Sequence, residues 1–154
     1  MRKRWRGVAC VVSVASLSAV VGYTAPPIAG EDAFAQRQDT MKRMGRAFYL
    51  GIGRVVKGTA EFGPGTLEAA ETVASLSGTL GTLFPPGSDV AESRMKPEIF
   101  TAQKDVERLI MEVQAATGRL VPAVKSAEKG ALVAAYKSVN DACESCHTEF
   151  RKSE

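Results

Sequence analysis

Every apolar pattern after residue 30 repeats with the spacing of an α-helix, and no stretch alternates as a half-buried strand would. Four such segments run over residues 31–58, 66–83, from 97 onward, and about 127–150, with glycine- and proline-rich stretches between the first three. Helices with one apolar side bury that side most simply against one another. The sequence therefore predicts an all-α fold, an antiparallel four-helix bundle over residues 31–154.

Local signals suggest where these helices begin and end. Gly58 is a candidate stop for the first helix, and Thr66 is a candidate N-cap for the second. Pro97 suits the first turn of the third helix, where a missing N–H costs nothing. Gly118 and Pro122 weaken the end of that helix, so its C-terminal boundary stays open.

Residues 1–30 have the layout of a secretory signal peptide. Four basic residues lie within the first six, an apolar run covers residues 8–21, and small residues and prolines fill 22–30. The apolar run is shorter than the roughly twenty residues that a membrane-spanning helix needs. We expect cleavage near Ala29 or Gly30, the alternative being an uncleaved N-terminal anchor.

The basic charge of the chain belongs to this leader. The full sequence carries 20 basic and 17 acidic residues, a net charge of +3. Without residues 1–30, 16 basic residues face 17 acidic ones, a net charge of −1, and Cys10 is lost with the leader. The remaining chain is not basic, so we expect no nucleic-acid partner, and no membrane contact once the leader is cleaved.

The C-terminal segment holds one chemical motif, Cys143-Glu-Ser-Cys146-His147. C-x-x-C-H is typical of c-type haem attachment: two thiols form thioether bonds to the haem vinyl groups, and the histidine binds the iron from the same side. Three rival interpretations are weaker. A thioredoxin-like pair belongs in a βαβ unit, a disulfide fits poorly at helical spacing, and a zinc ion would need a fourth ligand.

Three segments together resemble class II cytochromes c, the cytochrome c prime family. Residues 31–41 are similar to the family's opening helix with its Arg-Gln pair, and residues 96–100 to the start of its third helix. Residues 143–147, followed by Phe150, Arg151 and Lys152, resemble its C-terminal end. The resemblance covers the chain after the leader, and it implies a four-helix bundle with one covalent haem c.

The sixth iron ligand separates two branches of that family. His147 is the only histidine, so a second imidazole is excluded. The resemblance places Met41 where the low-spin branch has its methionine ligand and where cytochromes c prime proper have an apolar residue. We expect His147 and Met41 to bind the iron. Met41 as a core residue with no sixth ligand, or another methionine such as Met44, remains an alternative.

Four further residues have expected roles: three follow from the resemblance, and that of Arg151 follows from its position one helical turn past His147. Arg37 and Gln38 resemble residues near a haem propionate, and Phe84 resembles the aromatic that lines the distal pocket. Arg151 is expected to shape the proximal side. The alternatives are a solvated helix face for Arg37 and Gln38, plain core packing for Phe84, and a favourable charge at the helix C-terminus for Arg151.

These observations lead us to expect a periplasmic electron carrier that exchanges single electrons with redox partner proteins and is not an enzyme. A peroxidase is disfavoured because we find no distal His/Arg pair. The alternative is a five-coordinate haem protein that binds nitric oxide or carbon monoxide. Many members of the family are homodimers, and a homodimer is an open expectation here.

Overall fold

The computed structural model describes residues 30–153, so the predicted signal peptide lies outside the described residues except for Gly30. The described part is all-α, as expected. Its helices are α1 (Gly30–Gly45), α2 (Gly53–Val56), α3 (Pro64–Ser77), α4 (Gln103–Thr117), α5 (Leu120–Lys125) and α6 (Lys129–Phe150). A π-helical segment, Arg46–Ile52, joins α1 to α2, and short 3₁₀ turns lie at Leu80–Thr82 and Pro97–Phe100.

These elements form the predicted four-helix bundle. We call α1, the π segment and α2 together the first rod, and the other three bundle helices are α3, α4 continued by α5, and α6. The largest side chains that are fully enclosed between them are aliphatic: Ile52, Val73, Ile99, Leu120, Leu132 and Val139. Within residues 30–153, no helix is both long and apolar enough to cross a membrane.

The first rod makes two close contacts from its π segment onward. Gly51 lies directly against Ala69 of α3, so closely that a Cβ atom would have no room. One turn away, the ring of Phe48 stacks on Tyr136 of α6, with centroids 4.2 Å apart and planes within 8°. The rod is thereby fixed against two neighbouring helices at one level, just beyond the stretch that carries Met41.

The boundaries of the second helix differ from those expected. Thr66 was expected to be its N-cap, but it lies buried inside α3, and Gly63 is the N-cap instead. Pro64 explains the earlier start, because its fixed φ suits the first helical position. The α-helix also ends earlier, at Ser77, and only a 3₁₀ turn follows before Phe84.

The third helix begins later than Pro97. Residues Pro97–Phe100 form a separate 3₁₀ turn, and α4 begins at Gln103. Its weak C-terminal end is resolved as a turn at Gly118 and Arg119, followed by α5. Pro122 lies within the first turns of α5, where proline is tolerated.

A loop is fastened to the C-terminal end of α6. The amide of Lys96 donates to the Phe150 carbonyl and the amide of Lys152 to the Arg94 carbonyl, both at 2.8 Å. Met95 and Arg151 pair there as an isolated antiparallel bridge. The ammonium of Lys96 also donates to two carbonyls of the last helical turn, at 3.2 and 2.8 Å. The loop is therefore held beside the helix end that carries the C-x-x-C-H motif.

Candidate cofactor site

One cavity of about 450 Å³ lies inside the bundle, between the first rod and α6. All eight residues singled out from the sequence contribute to its wall: Arg37, Gln38, Met41, Phe84, Cys143, Cys146, His147 and Arg151. They come from chain segments more than 100 residues apart. Folding therefore assembles one site from positions that the sequence offers separately.

The α6 wall of the cavity carries the motif. Cys143, Cys146 and His147 all lie within α6, a 22-residue helix. Residues three and four apart on a helix share a face, so both thiols and the imidazole are directed to the same side. Both thiols are free. This arrangement suits two bonds to one edge of a macrocycle and one bond to its central metal.

The thiols have the ionisation expected of buried, unactivated cysteines. Burial raises the pKa of Cys146 to about 11, with smaller contributions from Cys143 and Glu149. Burial followed by the charge of Glu144 raises the pKa of Cys143 as well. Thioredoxin-like cysteines lie at a helix N-terminus. This motif lies near the C-terminal end of α6 instead, and within residues 30–153 it belongs to no cluster of three or more metal-binding side chains, which argues against the thioredoxin-like and zinc interpretations.

His147 has an imidazole suited to binding a metal. Partial desolvation lowers its pKa from the ordinary value, and the positive charge of Arg151 lowers it further. A neutral ring keeps a lone pair for coordination. Arg151 follows the end of α6, and its amide donates to the His147 carbonyl at 2.9 Å. Its place beside His147 agrees with the role expected for it on that side of the cavity.

The first rod supplies thioether sulfur to the cavity wall. Met41 is partly buried and Met44 is buried, and both line the cavity. They lie one helical turn apart, so either sulfur is a candidate for a metal on this side. Met95, from the loop fastened to α6, adds a third thioether.

Arg37 has partners that the sequence did not suggest. Its guanidinium donates to the Leu83 carbonyl at 2.8 Å, and to the hydroxyl and carbonyl of Ser88 at 2.7 and 2.6 Å. Arg37 is only 4% exposed, which excludes the solvated-face alternative for this residue. Desolvation lowers its pKa, while the charge of Asp89 opposes the shift. A guanidinium has five N–H donors, so two remain that could donate to a propionate.

The other two expected residues differ in burial. Gln38 is exposed at the cavity wall, so its role near a propionate stays a prediction and the solvated-face alternative stays open. Phe84 is buried and lines the cavity, so core packing and pocket lining are both true of it.

Several wall residues were missed at the sequence level. Phe34, Phe48 and Tyr49 line the cavity from the first rod, and residues 92–95 close part of it from the loop. For Phe34 and Phe48, helical spacing indicates an inward face but not what that face meets. For the loop, no sequence signal exists, because its position depends on backbone bonds to residues 150 and 152.

The chemistry of the wall fits a haem c. Two thiols and one imidazole share a helix face, thioethers and aromatic rings face them, and the lining is mostly apolar. Arg37 is a buried cation, and its side-chain bonds within residues 30–153 go only to carbonyl and hydroxyl oxygens, so a carboxylate would complement it. Across the same residues, no cluster of three or more His, Cys, Asp and Glu could hold a metal ion alone. A metal held by His147 would therefore need further ligands from a bound group, and a haem supplies four nitrogen ligands.

Known proteins resemble this chain in sequence. A family model described as cytochrome c′ matches residues 32–151. The cytochrome c′ of Allochromatium vinosum is 32% identical over 88 residues, which is 54% of this chain and 57% of that protein. The alignment thus spans little more than half the length of that relative. The cytochrome c′ of Rhodospirillum rubrum is 24% identical over 139 residues, covering 90% of this chain and 95% of that protein.

Solved structures of cytochrome c prime from Alcaligenes xylosoxidans share the fold. A ferrous variant with bound NO matches at a TM-score of 0.75 with 25% identity, over 82% of this chain and 98% of that one. A carbon-monoxide-bound variant matches at 0.74 with 26% identity, over 80% and 97%. None of these similarities supports the expected low-spin, methionine-ligated branch in particular. Since the family model spans most of the sequence, the chain belongs to the cytochrome c′ family, whose members bind haem c covalently.

Proposed function

We propose that this protein binds a small diatomic gas at a haem iron held by His147. The observation that carries the proposal is the asymmetry of the cavity. One wall supplies the chain's only imidazole, while the facing wall, within the described residues, supplies thioethers and aromatic rings. Related proteins of this fold are described with nitric oxide and with carbon monoxide bound, which supports the same function here.

The side chains divide the work as follows. Cys143 and Cys146 would hold the haem by two covalent bonds, so the group could not dissociate from the protein. The neutral imidazole of His147 donates its lone pair from one side. An iron held in this way can take a gas molecule on its free side or exchange one electron. The apolar side chains on the facing wall, among them Met41, Met44 and Phe84, favour an uncharged ligand over a charged one.

A second candidate, an electron carrier, is favoured by one residue. Met41 lines the cavity on the rod that faces α6, and its thioether is a soft ligand that stabilises ferrous iron. If Met41 binds the iron, both axial positions stay filled and small ligands are excluded. The protein would then transfer electrons with little rearrangement, as the resemblance to the low-spin branch leads us to expect.

The absorption spectrum of the ferrous protein with and without carbon monoxide separates the two candidates. Gas binding predicts a broad high-spin spectrum that changes when the gas is added. Methionine ligation predicts a sharp, split low-spin spectrum that resists the gas, and Met41→Leu should then acquire gas binding. Met44→Leu is the matched control, one turn along the same helix. A low-spin spectrum that survives Met41→Leu would contradict the assignment of Met41 as the ligand.

Further proposals concern the setting of this function. We propose a periplasmic location, because the predicted leader exports the chain and covalent haem c is attached after export in bacteria. The mass of the purified protein tests this: cleavage leaves about 124 residues plus one haem. We propose no enzymatic activity, since the sequence has no second histidine that could form a His/Arg pair across from His147. Redox partner proteins and a homodimer remain expectations, testable by cross-linking and by sedimentation.

A further inference from the structure

We infer that Arg37 is a positioning residue that holds the turn bearing Phe84 against the cavity, and so controls how fast a gas reaches the haem. The inference rests on the proposed gas-binding function. The part of the inference that does not depend on gas binding concerns residues 83–88, which connect the 3₁₀ turn Leu80–Thr82 to the following loop. Arg37 lies one helical turn before Met41, so the same face of α1 carries both residues.

The contacts of Arg37 tie both ends of this turn to one side chain. The carbonyl of Leu83 accepts a hydrogen bond at its start, and the hydroxyl and carbonyl of Ser88 accept two more at its end. The Ser88 hydroxyl also donates to the Pro85 carbonyl at 2.8 Å. Gly87 has a φ of 78°, a backbone conformation that favours glycine and that brings the chain back towards α1.

The surroundings of the Arg37 guanidinium fix its position. Its guanidinium carbon lies 5.4 to 6.0 Å from the ring centroids of Phe34, Phe84 and Phe100, so aromatic rings surround the charge. A buried cation keeps its place only where acceptors satisfy it, because an unpaired buried charge is costly. The three acceptors on the turn meet that need, and the turn is in return fixed to α1.

Phe84 is the part of the turn that faces the site. It is buried, it lines the cavity, and its ring centroid lies 5.8 Å from the guanidinium carbon of Arg37. The two prolines that follow carry no N–H, so they add no backbone donors with which the turn could hold itself. Loosening Arg37 should therefore let Phe84 move away from the cavity.

The test uses the haem-loaded full chain and two readouts. Arg37→Gln and Ser88→Ala should speed exchange of the amide of residue 88, which donates to the Pro85 carbonyl at 3.2 Å. The Thr59 amide, which lies just after the first rod and donates to the Arg54 carbonyl, should stay unchanged. Carbon monoxide should associate about tenfold faster with Arg37→Gln, because the shorter, uncharged side chain loses at least one of the three hydrogen bonds to the turn. Arg43→Gln is the control, an exposed arginine on the same helix paired with Asp39.

A double substitution shows whether Arg37 acts through Phe84. Phe84→Ala alone should speed association, and adding Arg37→Gln should then change the rate by less than about twofold, because coupled residues are not additive. Fully additive effects would overturn the inference, as would unchanged amide exchange in both Arg37→Gln and Ser88→Ala. Should Arg37→Gln fail to fold, Ser88→Ala carries the test, since it removes one acceptor outside the cavity wall.

Failure of the gas-binding function has a different signature. If Met41 binds the iron, the unsubstituted protein will not take up carbon monoxide, and the rates are measured in the Met41→Leu background instead. Faster association there on adding Arg37→Gln supports the inference although the proposed function has failed. An unchanged rate in that background overturns the inference.

Discussion

The two walls of the cavity are built in different ways. On α6, Cys143, Cys146 and His147 lie within five consecutive residues, and one helical turn directs them to a common side. On the first rod, Arg37 and Met41 meet the site only because the rod packs against α3 and α6. Substitutions on the α6 wall should thus change how the haem is bound. Substitutions on the first rod should instead change the position of its side chains and the stability of the fold.

The largest effect is expected from the α6 wall. Replacing Cys143 and Cys146 together with alanine should abolish covalent haem attachment completely, because no other cysteine remains after residue 30. Mass spectrometry of the denatured protein measures this as loss of the haem mass. Ser145→Ala is the matched control, since Ser145 lies between them and its hydroxyl donates to the Asp141 carbonyl within α6. Retention of covalent haem in the double variant would show that these two thiols are not the attachment site.

An intermediate effect is expected where the first rod meets α3. Gly51→Ala places a methyl group against Ala69, so the rod must shift, and we expect the free energy of unfolding to fall by about 1–3 kcal/mol. Chemical denaturation measures the change. Gly65→Ala in α3 is the control, because nothing lies within 4 Å of its Cβ position. Equal stability of the two variants would show that the close approach does not position the rod.

The smallest effect is expected at the end of α6. Lys96→Met removes two hydrogen bonds to carbonyls of the last helical turn, and we expect a loss of about 0.5–1 kcal/mol. The Arg151 amide, which donates to His147, should exchange faster with solvent. Lys104→Met on α4 supplies a control with the same change of charge. Unchanged exchange would mean that α6 positions its side chains without support from the loop, whereas the first rod depends on packing against its neighbours.

Much of the fold could be predicted from residue spacing, and the errors in that prediction have physical causes. The helical periodicity predicted four helices correctly, because apolar residues at positions three and four apart indicate a buried helix face wherever the partner lies. Thr66 was wrong as an N-cap because Pro64 starts the helix earlier. The π segment was not predicted, since no local signal distinguishes it from the α-helix on either side.

In the candidate site too, some residues could be predicted from local sequence, and others are brought together only by packing. The motif on α6 could be identified from the sequence because its chemistry needs only adjacent residues. Arg37 was expected to face a propionate, yet three of its donors bind the turn at residues 83–88. That contact spans about fifty positions, and sequence spacing carries no information about such a distance.

The sequence by itself determined the helical fold and the covalent chemistry of residues 143–147, because helix periodicity and a five-residue motif are both local properties. The tertiary structure decided which side chains face that motif, which acceptors hold the buried Arg37, and where the loop of residues 92–95 lies. Those are packing outcomes. They depend on how closely helices approach one another, and a single glycine such as Gly51 can determine that approach.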